Sequence, residues 1–208
     1  MAAGADMATD VAPGNVVGGI PAHLIKSGNA PLKLHLGCGR RCIAGFIHID
    51  VQPAPHVNVV SVVERLPMRD ASVSAIYASH VLEHFGRHEY RAVLAEWFRV
   101  LEPAGTLRLA VPDFAACAAV YWGGSGDALS EVLGLIMGGQ RNSYDYHKMI
   151  FDEDHLRSDL LGVGFREVRR WDWRTTEHSS VDDYSQAYLP HLHKEDGRLM
   201  SLNLEARK

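Results

Sequence analysis

The chain has little that would tie it to nucleic acid, a membrane or an oxidising compartment. No run of lysines or arginines occurs and the formal net charge is −4, so an electrostatic grip on a polynucleotide is not expected. No apolar stretch approaches the roughly 20 residues of a membrane-spanning helix. The N-terminus carries neither the charged start nor the apolar run of a signal peptide. Three cysteines, Cys38, Cys42 and Cys117, do not make a disulfide framework. These absences predict a cytoplasmic protein with no membrane or nucleic-acid partner, and leave the oligomeric state open. What is present, 208 residues with 47% apolar and 22% charged side chains, suits one α/β domain with a filled core, with or without an arm.

The first 31 residues are rich in Ala, Gly, Val and Pro and nearly free of aromatics, so they hold little that forms a core. From Leu32 the pattern changes. LKLHLG, FIHIDV (46–51) and VNVVSVV (57–63) are short apolar runs of buried-strand type, and VSAIYAS (73–79) is a fourth. HEYRAVLAEWFRVL (88–101) is an amphipathic helix with Tyr90, Val93, Leu94, Trp97, Val100 and Leu101 on one face, stopping before Pro103. TLRLAVPDF (106–114) is a fifth strand. Residues 115–150 are less regular, with one helix, DALSEVLGLIMG, before the polar loop GGQRNSYDYHK. DEDHLRSDLLGVGF reads as a helix with acids in its first turn, REVRRWDW as a strand, 174–197 as a long polar loop and LMSLNLEARK as a last strand. Strands alternating with helices predict a doubly wound, mostly parallel sheet of seven strands. The closing pair, with no helix between, predicts an antiparallel edge strand.

In such a sheet ligands bind beyond the carboxyl ends of the strands. The turn after the first strand, LGCGRR, opens like a dinucleotide fingerprint, with Gly37 and Gly39 allowing backbone to approach a ligand closely. The third glycine is not in its place. Asp50, which ends the second strand and can accept both hydroxyls of a ribose, follows Gly39 by eleven residues, where a dinucleotide fold has roughly 20. A full helix does not fit, so little helix N-terminus is available for a pyrophosphate. That counts against a nucleotide-dependent oxidoreductase and favours a ligand with a ribose and no phosphate, such as S-adenosylmethionine.

The ordered set LHLGCGRR, GFIHIDV, LPMRDASVSAIYASHVLEHF and LAEWFRVLEPAGTLRLAVPDF resembles the class I S-adenosylmethionine-dependent methyltransferases. The similarity runs over about residues 32–208 and is closest to a small branch of predicted methyltransferases, some of them among surface-polysaccharide genes. The resemblance implies a Rossmann-like methyltransferase domain at 32–208. It implies that Gly37, Cys38 and Gly39 meet the methionine part of the cofactor through backbone atoms and that Asp50 holds the ribose. The loop from Leu66 to Met68 would cover the adenine, Ser79 and His80 would face the methionine end and the acceptor, and Pro112 and Asp113 would line the acceptor side. Two positions depart from the pattern: Ser61 and Ser74 stand where Asp is usual. They motivate the competing reading of a non-catalytic cofactor-binding or interaction module. Residues 1–27 resemble the last coil and tail of a hexapeptide-repeat acyltransferase, and residues 1–31 are read as an arm. Because such acyltransferases often modify sugars, the expected acceptor is a small molecule or glycan precursor, in polysaccharide biosynthesis or secondary metabolism.

Methylating a sugar hydroxyl requires removal of its proton, so a general base is expected. The candidates are His80, Asp113, Tyr144 and His147, with Lys148 as an anion contact. Each has a plain alternative: His80 and His84 packing a short helix, Glu83 bridging a helix end to the sheet, Asp113 capping a helix, and the cluster Asn142, Tyr144, Asp145, His147, Lys148 forming a solvated loop. Arg40 and Arg41 beside the glycine turn are read as solvated or as anion contacts. Cys38-x₃-Cys42, Asp152 to His155, and His191-x-His193 are weak as chelates, and no functional metal is expected.

Overall fold

The computed structural model describes residues 31–124 and 127–208. The arm expected over 1–31 lies, apart from Pro31, outside the described residues. A seven-stranded sheet runs in the order β3-β2-β1-β4-β5-β9-β6. Its strands are β1 (Lys33–Leu36), β2 (Ile47–Asp50), β3 (Val59–Val60), β4 (Val73–Ser79), β5 (Leu101–Pro112), β6 (Arg166–Arg170) and β9 (Ser201–Arg207). β1 pairs in parallel with both β2 and β4, and β4 with β5. The strand order therefore reverses between β1 and β4, which opens a crevice beyond their carboxyl ends.

The expected antiparallel strand is present, one place in from the edge. β9 inserts between β5 and β6 and runs antiparallel to both. Burial explains the placement. Six of the seven residues of β9, SLNLEAR, are buried, which suits an interior strand, whereas β6, REVRR, buries only Val168. Four charged side chains on a strand are tolerated, and protective, at an edge.

The two faces of the sheet differ. Leu34, Leu36, Ile49, Ile76, Leu107, Leu109, Leu202 and Leu204 form one apolar face. Against it pack α1 (Tyr90–Val100) and α4 (Glu153–Val163). The predicted stripe of α1 is buried as expected, and Trp97, fully enclosed, donates its indole N–H to the Val63 carbonyl at 3.0 Å. Truncating such a side chain costs about 3–5 kcal/mol. The other face carries His35, His48, Tyr77, Arg108, Asn203 and Glu205. Among the described residues it is covered by the 171–199 segment, with one-turn 3₁₀ stretches at Trp173–Thr175 and Tyr184–Gln186, rather than by the helices a doubly wound sheet would place there. That segment also holds a small hairpin, β7 (Tyr188–Leu189) with β8 (Arg198–Leu199), where the sequence suggests only loop.

Two further helices follow β5. α3 (Ala128–Met137) is the expected one; α2 (Phe114–Gly123) is not. FAACAAVYWG is apolar all round and buries only Ala116 and Cys117, so it has no amphipathic stripe to betray it. Its start is set by Asp113, discussed below. Among the described residues no helix is long and apolar enough to cross a membrane.

Candidate active site

A cavity of about 450 Å³ sits at the β1/β4 crevice. One end is made by the glycine turn. Gly37 and Gly39 both adopt positive φ, +58° and +52°. A Cβ on Gly37 would lie 2.5 Å from Val81 Cγ2, so the turn after β1 presses against the segment after β4, and only glycine permits the approach. Nothing stands within 4 Å of where a Gly39 Cβ would be, which leaves that backbone open to the cavity. Between Gly39 and Ile47 the chain makes turns and no helix, as the eleven-residue step requires.

Asp50 locks this turn. One carboxylate oxygen accepts the Gly39 N–H and the other the Gln52 N–H, both at 2.8 Å. Each oxygen keeps a lone pair, and Asp50 lines the cavity. Cys38 does not: its side chain is buried and burial pushes the thiol up to about 12, so only its backbone can serve a ligand there.

The apolar wall beyond Asp50 is Val62 and Val63 with Glu64, rather than the loop from Leu66 to Met68. Leu66 is buried, and its N–H is taken by the Glu96 carboxylate at 2.7 Å. Arg99 in turn clasps Glu96, and its guanidinium also reaches the Met68 and Leu66 carbonyls. The LPM stretch therefore ties the loop to α1 and faces inward. Ser61 is absent from the cavity wall, and Ser74 sits at the far end of β4, donating to the Leu32 carbonyl at 2.9 Å. The departures at these positions fall off the site.

Ser79 also faces away. It shares the polar sheet face with Tyr77, and its enclosed hydroxyl has no hydrogen-bond partner. Asp113 is buried as the N-cap of α2, one oxygen accepting from Ala115 N and Ala116 N at 3.0 and 3.3 Å, while Arg170 stands 3.7 Å from the other. Its role is the helix cap, and it does not line the cavity, so the expected catalytic part does not stand.

The other end of the cavity is formed by His80, His84 and Phe85 with the 141–148 loop, including Tyr144, Asp145, Tyr146 and Lys148. His80 holds φ +54°, a strained value for a residue with a side chain, at the point where β4 ends. Its Nε2 is 3.2 Å from Ser201 Oγ and its Nδ1 3.2 Å from Glu83 Oε1. Burial, with His147 and His84 nearby, pushes His80 down to about 3, and burial pushes Glu83 up to about 8. At neutral pH the two are thus a neutral contact, not an ion pair, and the geometry agrees: neither Glu83 oxygen has an aligned hydrogen-bond partner.

His147 is not on the cavity wall. Its ring lies behind it, Nδ1 2.8 Å from the Leu135 carbonyl and Nε2 3.9 Å from Glu83 Oε1, and burial lowers its pKa. Direct contact with an acceptor, as expected of a base, falls to others. His84, expected to be a packing residue, is on the wall, with Nδ1 3.1 Å from the Tyr146 carbonyl. Tyr144 lines the cavity and is largely exposed. Arg141 pairs with Asp145 at 2.7 Å, which holds that carboxyl below its usual range and braces the loop. Arg40 is exposed, and Arg41 donates to the Asp182 carbonyl at 2.8 Å. The Asp152 to His155 stretch is a helix start, Asp152 capping the His155 N–H at 2.8 Å.

Residues 34–109 match the family model of the methyltransferase domain. No curated protein matches the chain in sequence. Solved structures share the fold. A SAM-dependent methyltransferase from Archaeoglobus fulgidus aligns with TM-score 0.52 at 14% identity over 90% of each chain. An S-adenosylmethionine-dependent methyltransferase from Mesorhizobium loti aligns with TM-score 0.51 at 13% identity, over 90% of this chain and 95% of that one. The 1,6-didemethyltoxoflavin-N1-methyltransferase of Burkholderia thailandensis, solved with 1,6-didemethyltoxoflavin and S-adenosylhomocysteine, aligns with TM-score 0.50 at 18% identity, over 91% of this chain and 74% of that one.

Proposed function

We propose that this chain, an S-adenosylmethionine-dependent methyltransferase by its domain and its fold, moves the methyl group onto a small polar acceptor held against the 141–148 loop. The observation that carries this reading is a single cavity with an acid-locked glycine turn at one end and a polar loop at the other. The residues fit the cofactor. Open backbone at Gly39 suits the methionine end, the free lone pairs of Asp50 suit two ribose hydroxyls, and the flat apolar wall of Val62 and Val63 suits adenine. When bound, S-adenosylmethionine supplies a methyl group already activated on a sulfonium. The chain's own task is then alignment of the acceptor.

Clefts of about 300–1,000 Å³ hold one drug-sized ligand. A cavity of about 450 Å³ leaves modest space beside a nucleoside, so the acceptor is small or enters by one end. Asn142, Tyr144, Asp145 and Lys148 offer donors and acceptors suited to hydroxyl-bearing rings, in line with a glycan precursor in polysaccharide or secondary metabolism. The acyltransferase-like arm supports the same class by association alone. A hydroxyl acceptor gives up its proton toward the histidine side of the wall. There His84, its Nδ1 held by a carbonyl, keeps Nε2 free, whereas both His80 nitrogens already face polar neighbours. A cytoplasmic location accords with the three free thiols.

The deciding experiment is calorimetric titration with S-adenosylmethionine and S-adenosylhomocysteine, followed by turnover on a panel of sugar, amine and phenol acceptors. Binding of both, with methylation of a sugar, is expected. Absence of binding by either would sink the reading. Binding without turnover on any acceptor would favour a non-catalytic module.

A further inference from the structure

The carboxylate of Glu83 is 1% exposed and neither of its oxygens has an aligned hydrogen-bond partner, although three histidines, His80, His84 and His147, surround it. An unpartnered buried carboxyl group is costly and calls for a reason. The histidines are arranged around it in a particular way. His84 directs Nδ1 at the Tyr146 carbonyl, 3.1 Å, and His147 directs Nδ1 at the Leu135 carbonyl, 2.8 Å. A carbonyl only accepts, so each Nδ1 carries the ring proton and each Nε2 presents a lone pair. One ring nitrogen of each histidine and a Glu83 oxygen lie within 4.8 Å of one another, and His147 Nε2 is 3.9 Å from Glu83 Oε1. Backbone bonds hold the two segments together, since Lys148 N and Met149 N both donate to the Glu83 carbonyl, at 2.8 and 3.2 Å.

We propose that Glu83, His84 and His147 form a site for one first-row divalent cation of the zinc type, set into the acceptor-side wall of the cavity. Two neutral imidazoles and one carboxylate are a donor set for such ions, and three protein ligands leave a position open. Carbonyl-held Nδ1–H groups are the usual way a protein fixes the tautomer and aim of ligating histidines. Ligands at about 2.0–2.2 Å around a tetrahedral ion stand about 3.3–3.6 Å apart. The three ligand atoms, within 4.8 Å of one another, therefore close by up to about 1.5 Å when an ion binds, by rotation of the side chains. His80, 3.2 Å from the Glu83 carboxylate, is placed to orient it. The sequence conceals this site because its ligands come from two stretches more than sixty residues apart, unlike the three local clusters that short spacing suggests.

His84 lines the cavity, so with the ion bound the open coordination position would face an acceptor oxygen and lower its pKa, replacing His84 as the group that draws off the proton. That role rests on the proposed methyl transfer. Cation binding itself does not, and it is measured without cofactor. The full chain, stripped with a chelator and dialysed, is titrated with zinc and with cobalt(II). One ion per chain is expected, with a cobalt absorption spectrum of low coordination number and a zinc-dependent rise in Tm. Glu83→Gln and His147→Ala should each weaken zinc at least about 100-fold, while His191→Ala with His193→Ala leaves it unchanged. If either buried variant fails to fold, His84→Ala, on the cavity wall, decides by the same loss. No uptake of either ion, or uptake unchanged in His84→Ala and the folded buried variants, would overturn the proposal. Loss of S-adenosylmethionine binding alone would count against the methyltransferase reading and leave the cation site standing.

Discussion

His35, His48 and His178 pack on the polar face of the sheet, whereas His80, His84 and His147 gather around a carboxyl group at its carboxyl edge. In the first group the rings meet each other and Tyr77, with centroids 5.4 Å apart for His35–His48, 5.3 Å for His35–Tyr77 and 4.2 Å for Tyr77–His178. Carboxylates stand at the margin of this group: Glu177 Oε2 is 3.9 Å from His178 Nδ1, and Asp183 accepts from the Tyr77 hydroxyl at 2.5 Å. There imidazole serves as a flat, half-polar packing unit in the place of helices. In the second group His84 and His147 are held by carbonyls at Nδ1, while His80 places one nitrogen at Ser201 and the other at Glu83. What separates the two groups is therefore the buried carboxyl group and the cavity beside the second, and burial alone does not tell them apart.

Four substitutions break or sharpen that contrast. The largest effect is expected from Tyr77→Ala, which removes the hub of the packed group and its bond to Asp183. Chemical denaturation should find about 3–5 kcal/mol of stability lost, with S-adenosylhomocysteine affinity of the folded fraction unchanged. An equal fall in affinity would mean that the polar face and the cavity are one unit.

Next is the pH response of the packed group. Burial, with His48, His178 and His56 nearby, pushes His35 down to about 3. Between about 6.5 and 3 the unfolded chain binds a proton that the folded chain refuses, so this contribution is fully present above 6.5 and is lost as pH falls. Each pH unit in that window removes about 1.4 kcal/mol through this residue. His35→Phe, which keeps a ring beside His48, should flatten the curve measured between pH 7 and 5; a slope equal to wild type would show that His35 is protonated in the folded state.

Asp50→Ala should weaken S-adenosylhomocysteine at least about 100-fold in calorimetry, because it removes the proposed ribose acceptor and unlocks the Gly39 turn. Unchanged affinity would put the ribose anchor elsewhere. The smallest effect is expected from Ser74→Asp, which restores the residue usual in related sequences at the end of β4 remote from the cavity. Affinity should stay within about twofold, given that distant sites act independently. A clear gain would return adenine recognition to that position.

The apolar sheet face, α1 and the strands over residues 32–114 follow from periodicity, because a face buried against helices must be uniformly apolar. The polar face hides from the same reading. His35, His48 and Tyr77 alternate with leucines and isoleucines as though they met solvent, and the 171–199 cover carries no periodic signal of its own. β9 was legible as a strand, and the contrast of SLNLEAR with REVRR holds the clue to which of the two lies at the edge. Within the site, Gly37, Gly39 and Asp50 are legible because a turn of that length has few other uses. Leu66, Ser79, Asp113 and His147 are near the cavity in sequence and turned from it in space. One residue of register sends a side chain to the opposite face of a strand, and a cap or a core contact takes the rest. Glu83 reads as a bridge between a helix end and the sheet; its isolation among histidines is a tertiary fact.

The hydrogen bond from Gly39 to Asp50 closes the chain between them into a small clasp. Its consequence is thermodynamic. Ordering the turn is charged to folding rather than to ligand capture, so a ligand at this end of the cavity, as proposed for the nucleoside, meets a preformed receptor and surrenders little entropy on association.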